Sequence, residues 1–171
     1  IKRLREKFRD VIIFIDEPYM VSIGSSYINV KTEEAARRIG EIVDEIHKEG
    51  AVAGIHCCGN TDWGMLLKTG IDIISFDAYS FIKSISLYPE ELKKFLKDGK
   101  CVAWGIVPTS GDSPEKEDAL LDRLQKGFEV LEKKGIERKD FLNSSLITPS
   151  CGCGTLSISQ SEEVLNLTLK M

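Results

Sequence analysis

Ala51-Val-Ala-Gly-Ile55 is an apolar run that feeds directly into His56, Cys57 and Cys58, with Gly59 behind them. An uninterrupted apolar stretch of this length, following a helical pattern that stops at Gly50, predicts a strand buried on both faces, as in a parallel sheet. Successive side chains on a strand face opposite ways. His56 and Cys58 therefore share a face, and Cys57 points away into the packing. One imidazole and one thiol converging at a strand end form half of a metal site. The competing reading is a buried cysteine-rich strand with a hydrogen-bonded histidine.

The same alternation repeats outward. Upstream, residues 2–10 read as the tail of a charged helix. Val11-Ile-Ile-Phe-Ile15 reads as a strand buried on both faces that ends at Asp16-Glu17-Pro18, and residues 19–31 read as a long loop. Thr32 is placed to cap a helix carrying Ala36, Ile39, Val43 and Ile46. Downstream, Trp63 to Lys68 is a short helix, and a strand over 71–76 ends at Asp77. Pro89 opens a helix that closes at Gly99, and 101–107 is a strand stopped by Pro108. Ser113 and Pro114 would start a long helix. Residues 141–148 would form a fifth strand ending at Pro149-Ser-Cys-Gly-Cys-Gly154, and Ser159 with Glu162 would box the last helix.

Strand–helix alternation repeated five times over 1–171 is a single α/β domain with a parallel sheet. A closed (βα)8 TIM barrel takes eight units and about 250 residues. The expectation is that this chain supplies five C-terminal units of such a barrel, with the others before Ile1 or from a homodimer partner. A doubly wound five-strand sheet is the alternative.

Composition bounds the rest. The 171 residues carry 23 basic and 27 acidic side chains, a net charge of −4, which gives no reason to expect nucleic acid or an anionic membrane as partner. No apolar run approaches the roughly 20 residues that span a bilayer. Five cysteines, an odd number, favour thiols or metal over a disulfide framework, and the expected location is the cytoplasm.

In a barrel the C-terminal strand ends meet around one mouth. They supply Asp16 and Glu17, then His56 and Cys58, Asp77, Thr109, and finally Cys151 and Cys153. His56, Cys58 and Cys151 can share one metal, with Asp77 as a fourth ligand or an outer base; zinc suits such a nitrogen–sulfur set. Zinc makes a bound thiol a thiolate at neutral pH, so a His/Cys/Cys set favours alkyl transfer to a thiol over hydrolysis. Each residue also has a plainer use. Asp16, Glu17 and Asp77 can cap or solvate turns, and Cys57 and Cys101 can be core. His47 reads as a solvated cation ending its helix, and Trp63 and Trp104 as packing.

Ile15-Asp-Glu-Pro18, His56-x-Cys58, Ile73-Ile-Ser-Phe-Asp77 and Pro149-Ser-Cys-Gly152 together resemble the catalytic barrel of cobalamin-independent methionine synthase and the wider superfamily of uroporphyrinogen decarboxylase and methylcobalamin:thiol methyltransferases. The resemblance runs from about residue 11 to 156. It implies zinc on His56, Cys58 and Cys151, with Asp77 where the family has a glutamate one methylene longer. It implies that Asp16 contacts the amino group of homocysteine, with Glu17 beside it as a candidate catalytic carboxylate. Folate-dependent members carry a histidine acid in the loop that here reads Pro108-Thr-Ser-Gly111. Without it, a corrinoid methyl donor such as methylcobalamin fits at least as well as methyltetrahydrofolate. A decarboxylase and a non-catalytic zinc-binding half-barrel are the alternatives. No arginine stands at a strand end to hold an acidic porphyrinogen.

Overall fold

A computed structural model describes residues 1–22, 30–110 and 115–171. A short helix α1 (Lys2–Arg5) leads to β1 (Ile12–Asp16) and a 3-10 turn over Pro18–Ser22. Helix α2 (Thr32–Lys48), strand β2 (Val52–Cys57), helix α3 (Trp63–Leu66), strand β3 (Ile73–Phe76) and helix α4 (Ala78–Phe81) follow. Then come α5 (Pro89–Lys97), β4 (Cys101–Val107), α6 (Glu117–Lys133), α7 (Arg138–Asn143), β5 (Ser145–Pro149) and α8 (Ile158–Lys170). Helices α2 and α5 give way to the next strand through Gly50 and Gly99, whose φ of 69° and 77° only glycine adopts cheaply.

The five strands are all parallel and lie in the order β1-β2-β3-β4-β5. A doubly wound sheet needs a point where strand order reverses, and this sheet has none. Register fixes the faces. Ala53, Ile55, Cys57, Ile74, Phe76, Val102, Trp104 and Ile106 are buried in one core with the apolar stripes of the helices, such as Ile39, Val43 and Ile46 of α2. Trp63, Phe76, Trp104, Phe128 and Phe141 form a continuous ladder through that core, with successive ring centroids 5.1, 5.6, 5.2 and 4.6 Å apart.

The opposite face is only partly covered. Ile12, Phe14, Val52 and Leu146 are 51%, 43%, 38% and 44% exposed on it. The sequence predicts β1 buried on both faces; instead one face is open, because among the described residues no layer lies over it. Helix α8 adds an outer apolar stripe, Ile158, Leu165 and Leu169, exposed at i, i+7 and i+11.

Several boundaries differ from expectation. Helix α1 stops at Arg5 rather than near residue 10. Residues 141–143 end a helix instead of starting the fifth strand; one helical turn carries Phe141 onto the ring of Phe128. Helix α8 is boxed by Ser157 and Gln160, not by Ser159 and Glu162; the earlier pair has the same spacing and adds half a turn of helix. Thr32 is the first helical residue, and Lys31 takes the cap position without a side-chain bond. Most of the loop over 19–31, and the proposed start at Ser113 and Pro114, lie outside the described residues; α6 begins at Glu117.

Candidate metal centre

Gly54 sits opposite Phe14, whose ring lies where a Cβ at position 54 would be, the nearest atom 2.6 Å away. This ring floors the open face one layer below His56, which is paired in register with Asp16 on β1 and Ser75 on β3. His56 Nδ1 is 2.9 Å from Ser75 Oγ, and its Nε2 is 3.2 Å from Cys58 Sγ. Cys58 Sγ is in turn 3.1 Å from Cys151 Sγ. The donor atoms of His56, Cys58 and Cys151 all lie within 4.8 Å of one another, so the group can hold a metal ion.

Cys151 reaches this point by a specific route. In a flat sheet β2 and β5 stand three strand spacings apart, about 14 Å. Here Cys58 and Cys151, each just past the end of its strand, nonetheless bring their sulfurs to 3.1 Å. Between Gly105 and Val107 the pairing of β4 with β5 shifts register. Gly105 allows the shift: a Cβ there would sit 2.4 Å from the Phe76 carbonyl oxygen, 2.9 Å from Ser150 Cα and 3.0 Å from the Pro149 oxygen. Buried Ser150 then pins the turn. Its N–H donates to Val107 O at 2.8 Å, and its Oγ accepts from the Thr109 N–H at 3.1 Å.

The remaining predicted site residues divide. Asp16 faces the group, and its charge acts on both His56 and Cys58. Glu17 lies toward the other face: its charge acts on Cys57, and its N–H extends the β1–β2 pairing to His56 O at 3.1 Å. Asp77 does not join the three-residue group. Its Oδ1 accepts the Ser80 N–H at 2.8 Å and so caps α4, although its charge still reaches His56. Cys57 is core, as expected, and Trp63 and Trp104 are fully buried packing residues. His47 is not merely solvated. It bonds Asp72 Oδ2 at 2.6 Å, and the same oxygen accepts the Ala53 N–H, all at the N-terminal end of the strands.

Electrostatics set the resting state. Burial holds the His56 pKa below the usual histidine value, against the opposing charges of Asp16 and Asp77, so the imidazole is neutral at pH 7 and able to ligate. Partial desolvation, with Cys151 alongside, pushes the Cys58 thiol up to about 12. Without a metal it is a thiol, and metal binding must displace its proton.

The sequence matches no family model and no curated protein. The resemblance described above therefore stands on the quoted motifs alone. Of those, His56, Cys58 and Cys151 meet in space with Asp16 beside them. Sequence reasoning missed Ser75, Ser150 and Gly105. Ser75 was legible in principle: it lies two residues before Asp77, on the face that register gives to His56.

Proposed function

We propose that this chain binds zinc through His56, Cys58 and Cys151 and uses it to activate a thiol for methyl transfer, with homocysteine as the acceptor. The observation that carries the reading is the meeting of two thiols and one imidazole from β2 and the end of β5. Zinc bonds sulfur at about 2.3 Å and imidazole nitrogen at about 2.0–2.1 Å, so a tetrahedral site wants sulfurs about 3.8 Å apart and nitrogen and sulfur about 3.6 Å apart. The gaps of 3.1 and 3.2 Å need only small side-chain rotations to open that far. Three protein donors leave a fourth position for the acceptor. Bound there, zinc would hold the acceptor thiol as a nucleophilic thiolate at neutral pH.

The chain's own residues supply the remaining parts. Asp16 is the carboxylate we assign to the acceptor's ammonium group. The segment after β4 carries no histidine to protonate a leaving nitrogen, and of the two histidines His47 lies at the opposite end of the strands, bonded to Asp72. Departure of a corrin needs no such proton, whereas a folate nitrogen does. A corrinoid donor is therefore the better fit.

The open apolar face, the stripe on α8 and the approach of the segments after β2 and β5 support a place for this sheet in a (βα)8 barrel completed by further βα units. Sedimentation tests this: the 171-residue chain alone should self-associate, and Phe14→Asp with Leu146→Asp should abolish that association. A monodisperse monomer would count against it.

The test of activity is a thiol-consumption time course with each methyl donor, run on protein of established zinc content. Faster turnover with methylcobalamin or a corrinoid protein is expected, and Asp16→Ala should weaken homocysteine while sparing a thiol lacking the amine. Efficient turnover with methyltetrahydrofolate and none with the corrinoid would overturn the reading.

A further inference from the structure

His56 is engaged at both ring nitrogens, and a neutral imidazole has one N–H to give. Either Nδ1–H donates to Ser75 and the bare Nε2 faces Cys58, or Ser75 donates to Nδ1 and Nε2–H points at the Cys58 sulfur. Only the first leaves a lone pair aimed at Cys58 and Cys151. The two partners are not equally rigid. Ser75 is 7% exposed in the middle of the sheet, directly opposite His56 in register, and its neighbour on β4 is Ala103, which offers no competing side-chain group. Cys58 lies past the end of β2 and is exposed.

We propose that Ser75 is a positioning residue: it accepts the Nδ1 proton of His56, fixing the tautomer and ring orientation that turn Nε2 toward the two thiols. The proposal rests on the reading of these three residues as a metal centre. Groups that hold the far nitrogen of a ligating histidine commonly change metal affinity by about 10–100-fold. Asp16, the register partner of His56 on its other side, makes no comparable hydrogen bond to the ring among the described contacts.

Two measurements test it. Long-range proton–nitrogen correlation of the metal-free 171-residue chain, labelled at histidine, should give the Nδ1–H pattern for His56, and Ser75→Ala should convert it to a mixture with Nε2–H. Competition with a chromophoric chelator should show zinc affinity about 10–100-fold weaker in Ser75→Ala and restored in Ser75→Thr, which keeps the hydroxyl. A wild-type His56 in the Nε2–H form overturns the proposal, and so does Ser75→Ala with unchanged tautomer and affinity. If the wild-type chain takes up no zinc, the metal reading fails by itself. The tautomer comparison of wild type with Ser75→Ala needs no metal, and it still decides the role of Ser75.

Discussion

Replacing Gly105 by alanine puts a methyl group 2.4 Å from the carbonyl oxygen of Phe76 and about 3 Å from the backbone of Pro149 and Ser150. Carbon contacts settle at about 3.5–4.0 Å, so roughly 1 Å of relief is needed. All three obstacles are main chain, in β3 and at the end of β5, so no side-chain rotation supplies it. The softer side is the end of β5, which has one sheet neighbour, and it carries Cys151. A metal site holds its ligand distances to about 0.2 Å. A 1 Å displacement of the Cys151 backbone therefore removes that ligand or leaves it strained. Overpacking of this kind costs about 1–3 kcal/mol of stability. For a chain of this size each kcal/mol lowers Tm by about 2–4 °C. Chelator competition should find zinc affinity weakened by at least about 100-fold, the upper range seen for disturbed ligand support, in a protein still folded by thermal melt. Gly152→Ala is the control: nothing lies within 4 Å of a Cβ there. Wild-type affinity in Gly105→Ala would refute the argument that this contact sets the position of Cys151.

Cys58→Ser or Cys151→Ser should each abolish stoichiometric zinc in the purified chain, while Cys101→Ser, at the far end of β4, should leave it intact; full metal retention in Cys151→Ser would sink the assignment. Because the Cys58 thiol is pushed up to about 12, its proton must leave when metal binds. Apparent zinc affinity should therefore climb at least about tenfold per pH unit from pH 6.5 to 8, and a flat profile in isothermal titration would contradict a thiolate ligand. Metal-free protein treated with diamide should lose two mass units and yield a Cys58–Cys151 cross-linked peptide. The sulfurs need to close by only about 1 Å to reach the 2.03–2.05 Å of a disulfide. Free thiols at both positions after treatment would argue that they do not meet.

The alternation of strand and helix was legible because each buried strand is an apolar run and each helix carries its own 3.6-residue stripe. The gathering of His56, Cys58 and Cys151 was legible because parallel strands bring their C-terminal ends to one side. What the sequence hid is non-local. Ile12 and Phe14 look like core residues in any apolar strand, and whether they are covered depends on what stands opposite, not on their neighbours in sequence. Phe141 and Leu142 form an apolar pair too short to carry a period, and the ring of Phe128 decided for helix. Glu17 and Asp16 are adjacent and chemically alike; only pairing register assigns one to the thiols and the other to Cys57. Asp77 went to the α4 cap because a strand that turns directly into a helix needs an acceptor there.

Cys58 and Cys151 are 93 residues apart in the chain, and β3 and β4 lie between their strands. Every strand pairing in this sheet joins consecutive units, so the sheet can fray from its ends like a zipper, β5 having β4 as its one paired strand among the described residues. A bond passing through the two sulfurs would tie together units that no strand pairing among the described residues connects. Closing so long a loop restricts the unfolded chain far more than the folded one. Metal occupancy would therefore couple the fraying edge to the interior strand β2. Hydrogen exchange would register this as slower amides in β5 and α8, with those of β2 and β3 already protected by neighbours on both sides.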